Sequence, residues 1–261
     1  MKAVILCGGQ GTRIRDANEL LPKPMLPIGG KPIVWHIMKG YAAFGVRDFV
    51  LCLGYKGWVI KEFFLNYQAM TTDVTVTLGK PDSLEFNGSH PEEDWRVTLA
   101  ETGDETQTGG RIAAIRRYVE QDDEAFMVTY GDGVSDVDVG KLLEAHRRHG
   151  KIATVTAVRP LGRFGEMRID GGTVCEFNEK PQTSSGSING GFFVFDSRRI
   201  WDYLEGGPKM FLESDVLRRL AHDRQLVAFE HAGFWQPMDT YREYLLLNEL
   251  WAKGTAPWKR W

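Results

Sequence analysis

The chain alternates between unbroken apolar runs and apolar residues spaced three to four apart. Val4-Ile5-Leu6 reads as a buried strand, and 32–44 as a helix with Pro32 near its first turn and Ile33, Ile37, Tyr41 and Phe44 on one stripe. Asp48–Leu53 returns as a strand, helical spacing resumes over 59–67, and Val74, Val76 and Leu78 alternate as in a half-exposed strand. A helix over 111–119, a second continuous apolar strand over Ala125–Tyr130, a helix over Val139–His149 and a strand over 152–158 follow. The later part is denser in strands: 167–169, 174–177, 191–195 and 226–229 extend or cap the sheet, with helices around 213–221 and 241–253. This alternation predicts an α/β fold, a mostly parallel sheet covered on both faces.

Composition narrows the picture. With 261 residues, 43% hydrophobic and 26% charged, the chain can bury a sizeable core, and no linker, repeat or low-complexity block divides it, so 1–261 reads as one domain. A formal charge of −3 offers no broad basic field for nucleic acid. Cys7, Cys52 and Cys175 are scattered in apolar runs, as buried thiols in a reducing compartment are, and no cysteine metal site is expected. No run approaches the ~18 apolar residues needed to span a bilayer, and a cytoplasmic protein is expected.

The chemistry gathers at strand ends. The first apolar run ends in Gly8, Gly9 and Gly11, followed by Arg13 and then Pro22-Lys23-Pro24. Glycines let backbone N–H groups approach phosphate oxygens, and Arg13 can fork onto the same oxygens. The spacing is neither Gly-x-Gly-x-x-Gly, which would need glycine at Ile14, nor a P-loop. A glycine cluster can also do no more than turn the chain. Ligands of such sheets bind outside the carboxyl ends of the strands, and both the Gly8 loop and Asp132 fall there. An acid beside a phosphate cradle calls for an intervening cation, so Asp132 implies Mg2+, unless it merely caps a turn between Gly131 and Gly133.

Several stretches together resemble the sugar-phosphate nucleotidyltransferases: Gly8-Gly9-Gln10-Gly11-Thr12-Arg13, Pro22-Lys23-Pro24-Met25, Ile28-Gly29-Gly30-Lys31-Pro32-Ile33, Tyr130-Gly131-Asp132-Gly133, Glu179-Lys180-Pro181, Asn189-Gly190-Gly191 and Phe234-Trp235-Gln236-Pro237-Met238-Asp239-Thr240. Thr102-Gly103-Asp104 and Thr108-Gly109-Gly110-Arg111 resemble the cytidylyltransferase branch, and replace the Pro-x-Gly-Leu-Ala-Gln loop of thymidylyltransferase relatives. Cys7 and Leu21 depart from the family, which more often carries alanine and a basic residue there.

The resemblance implies a Rossmann-like nucleotidyltransferase fold, a mixed but mostly parallel sheet flanked by helices, with a strand-rich half that binds the sugar. It implies attack of glucose 1-phosphate on the α-phosphorus of CTP, giving CDP-glucose and pyrophosphate, a product that feeds polysaccharide biosynthesis; UTP or another sugar 1-phosphate, or a non-catalytic relative, are the alternatives. Arg13, Lys23 and Asp132 are then catalytic, and Asp132 with Asp239 holds Mg2+. Leu6, Gly8, Gly9, Gly11, Thr12, Arg13, Lys23, Asp104, Thr108, Gly109 and Arg111 bind the nucleotide, and Lys180, Asn189 and Gly190 the sugar phosphate. Read without the family, Lys180 is a solvated turn lysine and Asp239 an N-cap for the helix beginning near Thr240.

The six histidines provide no expected general base, since a sugar phosphate with a second pKa near ~6 is already largely dianionic. The aromatic C-terminus, Trp251, Trp258 and Trp261, reads as core or, preferably, subunit packing. The resemblance implies a homo-oligomer, hexameric in this branch, and no membrane or nucleic-acid partner.

Overall fold

The computed structural model describes residues 1–9, 20–79, 83–120, 124–159, 166–170, 173–178 and 186–261. Seven strands form one sheet in the order Leu226–His231, Ala153–Val158, Ile188–Asp196, Ala125–Tyr130, Lys2–Leu6, Asp48–Leu53 and Arg96–Glu101. Ile188–Asp196 runs antiparallel to both its neighbours, and every other pairing is parallel. The central strand Lys2–Leu6 is buried throughout, with Val4 opposite Val50 on one side and Val128 on the other.

Strand alternation divides the core between the two faces. Ala3, Ile5 and Cys7 point into one cluster with Ile33, Ile37, Tyr41 and Ile60 of the helices Ile33–Ala42 and Gly57–Leu65. Val4, Leu6, Val50 and Cys52 point into the other, against Ile112, Trp201, Leu212 and Leu220. A strand buried on both faces must be apolar at every position, which explains why the continuous runs carry the sheet. Val139–His149 is capped by the Asp138 side chain, which accepts from the Lys141 N–H, and ends at Gly150 in the left-handed region at φ 62°.

Several expectations change. Asp73–Val76 does not join the sheet but pairs with Leu84–Asn87 in a separate hairpin, and Glu166–Asp170 with Thr173–Asn178 forms another. The edge strand Arg96–Glu101 is invisible in the apolar pattern because only Ala100 is buried along it. The expected 111–119 helix begins at Thr108 and breaks at Ile115, where ψ rises to 8°, before Arg116–Val119. Residues 213–221 divide into a π-helical segment, Leu212–Leu217, and a short α-helix, Arg218–His222.

The C-terminal tryptophans pack within the chain: Trp258 is 2% exposed and stacks on Phe234 and Trp251, and all three tryptophans lie against His36. Cys7 and Cys52 are buried as expected, but Cys175 is exposed. His146, on the helix Val139–His149, is buried against Thr154. Among the described residues no helix is long and apolar enough to cross a membrane.

Candidate active site

The sheet extends in opposite directions from the adjacent strands Lys2–Leu6 and Ala125–Tyr130, so a crevice opens beyond their carboxyl ends. A cavity of about 270 Å³ lies there, lined by Leu6, Gly8, Gly9, Lys23, Thr108, Arg111, Tyr130, Asp132 and Asp239 among others. The two loops expected to share a cleft do share one.

Three charges converge at its mouth. Lys23 opens a single 3-10 turn, Lys23–Met25, whose Pro24 and Met25 are buried and anchor it. Its Nζ donates to Asp132 Oδ2 at 2.6 Å and to Asp239 Oδ1 at 2.5 Å. The acids arrive from opposite strands of a short ribbon in which Gly133–Ser135 pairs with Trp235–Pro237; the Met238 N–H donates to the Asp132 carbonyl at 2.8 Å. Burial opposes the ammonium charge, but Asp132 and then Asp239 hold the Lys23 pKa above the ordinary lysine value.

Two carboxylates and one ammonium give this cluster a formal charge of −1. Because both acids reach the same nitrogen, they converge on one cationic point, and their side chains remain 33% and 21% exposed. Among the described residues no cluster of three or more His, Cys, Asp or Glu could hold a metal alone. Two carboxylates completed by substrate phosphate oxygens are the donor set that suits Mg2+.

Arg111 forms the cavity's back wall. Its guanidinium donates to the carbonyls of Leu53, Gly103, Gly8 and Asp104 and to Thr102 Oγ1, at 2.7–3.3 Å. Burial pulls its pKa down, and these acceptors offset that cost. Arg111 therefore holds loops from three strand ends together rather than presenting a free fork. Its side chain also dictates Gly8: a Cβ there would lie 2.1 Å from the Arg111 Cζ.

Opposite Lys23, Tyr130 donates to Glu213 Oε1 at 2.6 Å and accepts from Asn189 Nδ2 at 3.1 Å, while Thr108 donates to Glu213 Oε2 at 2.8 Å. Asn189 is exposed beside Tyr130, and the Gly190 carbonyl accepts from Trp235 Nε1 at 2.7 Å.

The expected site residues thus divide. Leu6, Gly8, Gly9, Lys23, Thr108, Arg111, Asp132 and Asp239 line the cavity. Gly109 instead packs against the backbone of 210–212, and the Asp104 carbonyl accepts from Arg111. Asp239 is not a helix N-cap; Thr240 fills that place, its side chain accepting from the Glu243 N–H in a capping box. Gly11, Thr12, Arg13 and Lys180 lie outside the described residues. Sequence reasoning missed Glu213, which reads locally as an acid on an amphipathic helix, and gave Tyr130 no role although it begins the Tyr130-Gly131-Asp132-Gly133 stretch.

Comparison with known proteins identifies the family. Residues 2–251 match the nucleotidyl transferase family. The glucose-1-phosphate cytidylyltransferase of Salmonella typhi is 50% identical over 261 residues, 100% of both chains. The probable glucose-1-phosphate cytidylyltransferase of Bacillus subtilis (strain 168) is 42% identical over the same full lengths. The crystal structure of HddC from Yersinia pseudotuberculosis complexed with GMP-PN superposes with a TM-score of 0.67 over 96% of this chain and 99% of that one, at 23% identity, a likeness of fold.

Proposed function

The chain belongs to the nucleotidyl transferase family, and from that premise we propose that it joins CTP to α-D-glucose 1-phosphate, releasing CDP-glucose and pyrophosphate. The choice of substrates follows from the full-length cytidylyltransferase relatives. The observation that carries the chemistry is the convergence of Lys23, Asp132 and Asp239 at a cavity walled by Gly8 and Gly9. We take residues 1–261 as one catalytic domain, supported by a sheet that draws strands from Lys2 to His231.

The nucleophile arrives deprotonated, since a sugar phosphate with second pKa near ~6 is largely dianionic at neutral pH. No general base is required of the protein, and the buried histidines offer none: His36 and His146 are each engaged within the core, with Ile28 O and Thr154 Oγ1. The residues instead align two anions and neutralise their repulsion. Leu6, Gly8, Gly9 and Thr108 shape the nucleotide side, and Lys23 supplies positive charge to the triphosphate. Asp132 and Asp239 would hold a divalent cation, Mg2+, which when bound supplies charge against phosphate oxygens. Arg13 on the triphosphate and Lys180 on the sugar phosphate complete the reading by family resemblance, with Asn189 and Gly190 on the hexose side.

We further take the protein to be a homo-oligomer; exposed Leu65, Leu78 and Leu84, the last in the hairpin of Asp73–Val76 with Leu84–Asn87, offer apolar surface for a second copy, which sedimentation velocity tests.

The deciding experiment presents purified protein and Mg2+ with each of CTP, UTP, GTP and dTTP against glucose 1-phosphate and mannose 1-phosphate, reading pyrophosphate. CTP with glucose 1-phosphate is expected to exceed UTP by at least ~10-fold in kcat/KM, about 1.4 kcal/mol. Equal use of CTP and UTP overturns the base assignment, and no release with any pair overturns catalysis.

A further inference from the structure

We propose that Glu213 is a positioning residue for sugar recognition: by accepting the Tyr130 hydroxyl proton, it presents the phenolic oxygen to the ligand as an acceptor, selecting a sugar that donates a hydroxyl there. The inference rests on the reading above that the Asn189 side of the cavity takes the hexose.

The direction of the hydrogen bonds carries the argument. The Gly191 N–H donates to Asn189 Oδ1 at 2.8 Å, which assigns the Asn189 amide with its NH2 toward Tyr130. Asn189 Nδ2 can only donate, so the Tyr130 oxygen accepts, at 3.1 Å. An ionised carboxylate can only accept, so the Tyr130 proton points to Glu213 Oε1 at 2.6 Å. A phenol has one proton and two acceptor sites. With the proton committed and one acceptor site used, what remains on the oxygen is an acceptor.

Packing fixes the ring that bears this oxygen. Gly191 stands at φ 73°, and a Cβ there would lie 3.0 Å from the Tyr130 ring, so the ring lies on bare backbone; Phe193 meets it edge-on. Tyr130 lines the same cavity as Lys23, Asp132 and Asp239, two residues before Asp132. Burial, and then the Glu213 charge, raise the Tyr130 pKa, so the phenol keeps its proton at every working pH.

Glu213 is itself held in register. Its Oε2 accepts from Thr108, and the Thr108 oxygen accepts from the Leu212 N–H at 2.8 Å, tying the acid to the nucleotide wall. It lies in the π-helical segment Leu212–Leu217, a wider turn of the kind often found at functional sites. Thr108 retains its Leu212 partner without Glu213, whereas the Tyr130 proton loses its only acceptor in this network. The effect of removing Glu213 should therefore fall on the sugar rather than on CTP.

The test uses full-length wild type, Glu213→Ala and Tyr130→Phe, with glucose 1-phosphate and its monodeoxy analogues as probes. Wild type is expected to lose at least ~10-fold in kcat/KM on one analogue. In both variants that penalty should shrink below about threefold, with the KM for glucose 1-phosphate raised and the KM for CTP changed less than about threefold. The double variant should be no worse than the worse single one. Indifference of the wild type to every analogue, or a full penalty retained in folded variants, overturns the assignment. A wild type that uses CTP but not glucose 1-phosphate overturns the underlying substrate reading instead, and this inference with it.

Discussion

Lys23 Nζ lies 2.6 Å from Asp132 Oδ2, across 109 positions of sequence, and the same nitrogen reaches Asp239 Oδ1 at 2.5 Å. The lysine thus occupies the point on which both acids converge. On the proposed function, a cation for the triphosphate and its counter-charges are held in place by the fold itself, which is how an electrostatic site avoids reorganisation during reaction.

Asp132→Asn and Asp239→Asn keep shape but remove charge. Each is expected to lower turnover at least ~10²-fold, comparable to losing a principal electrostatic stabiliser, with circular dichroism and thermal midpoint near wild type. Wild-type-like pyrophosphate release by a folded Asp132→Asn protein defeats its assignment.

On the proposed function, Lys23 and a divalent cation would compete for the same two acids when nucleotide is absent. Lys23→Met leaves those carboxylates without their ammonium partner, so the affinity of the nucleotide-free protein for Mn2+, read by electron paramagnetic resonance, should rise about 10-fold, or ~1.4 kcal/mol. Turnover should fall in the same variant. Equal Mn2+ affinity in both proteins shows that the lysine does not guard the site.

Arg111→Lys keeps a charge but cannot span the acceptors that the guanidinium now joins. Buried carbonyls of Gly8 and Leu53 lose their Arg111 donor, so urea unfolding should show a loss on the order of 3 kcal/mol. The CTP site should weaken as its loops loosen. An unchanged urea midpoint would falsify the clamp.

His36 is 1% exposed, with Nε2 against the Ile28 carbonyl at 2.8 Å and Nδ1 facing the Trp258 N–H at 3.4 Å. These partners suit a neutral ring. Burial pushes its pKa down to about 4 from 6.5. Between those values the unfolded chain binds a proton that the folded chain does not, so stability rises with pH through this window and is lost as pH falls from 6.5 toward 4. The full contribution is on the order of 3 kcal/mol. His146 is also lowered to about 4, so His36→Gln should reduce the slope of the urea midpoint against pH without abolishing it. A variant with the wild-type slope would assign the acid sensitivity elsewhere.

Local pattern determined much of the scaffold. Ala125–Tyr130 and Asp48–Leu53 were legible to the residue because a strand covered on both faces must be apolar along its length, and Val139–His149 because a cap and an amphipathic stripe coincide. The strand ends in turn marked the cleft, since Gly8, Gly9 and Asp132 directly follow apolar runs. The Arg96–Glu101 edge strand escaped because a strand with one covered side need not be apolar throughout.

Tertiary structure alone decided what those residues do to one another. Asp239 reads as a helix cap in sequence and becomes a partner of Lys23 only because the Gly133–Ser135 and Trp235–Pro237 ribbon brings it beside Asp132. Arg111 is assigned to the nucleotide by resemblance, yet burial turns its donors onto backbone carbonyls. Glu213 gains meaning only from Tyr130 and Thr108, which chain folding brings to its two oxygens. Periodicity reports which face of an element is buried; the identity of the partner across the fold is a long-range choice, made where packing, charge and hydrogen bonds are satisfied together.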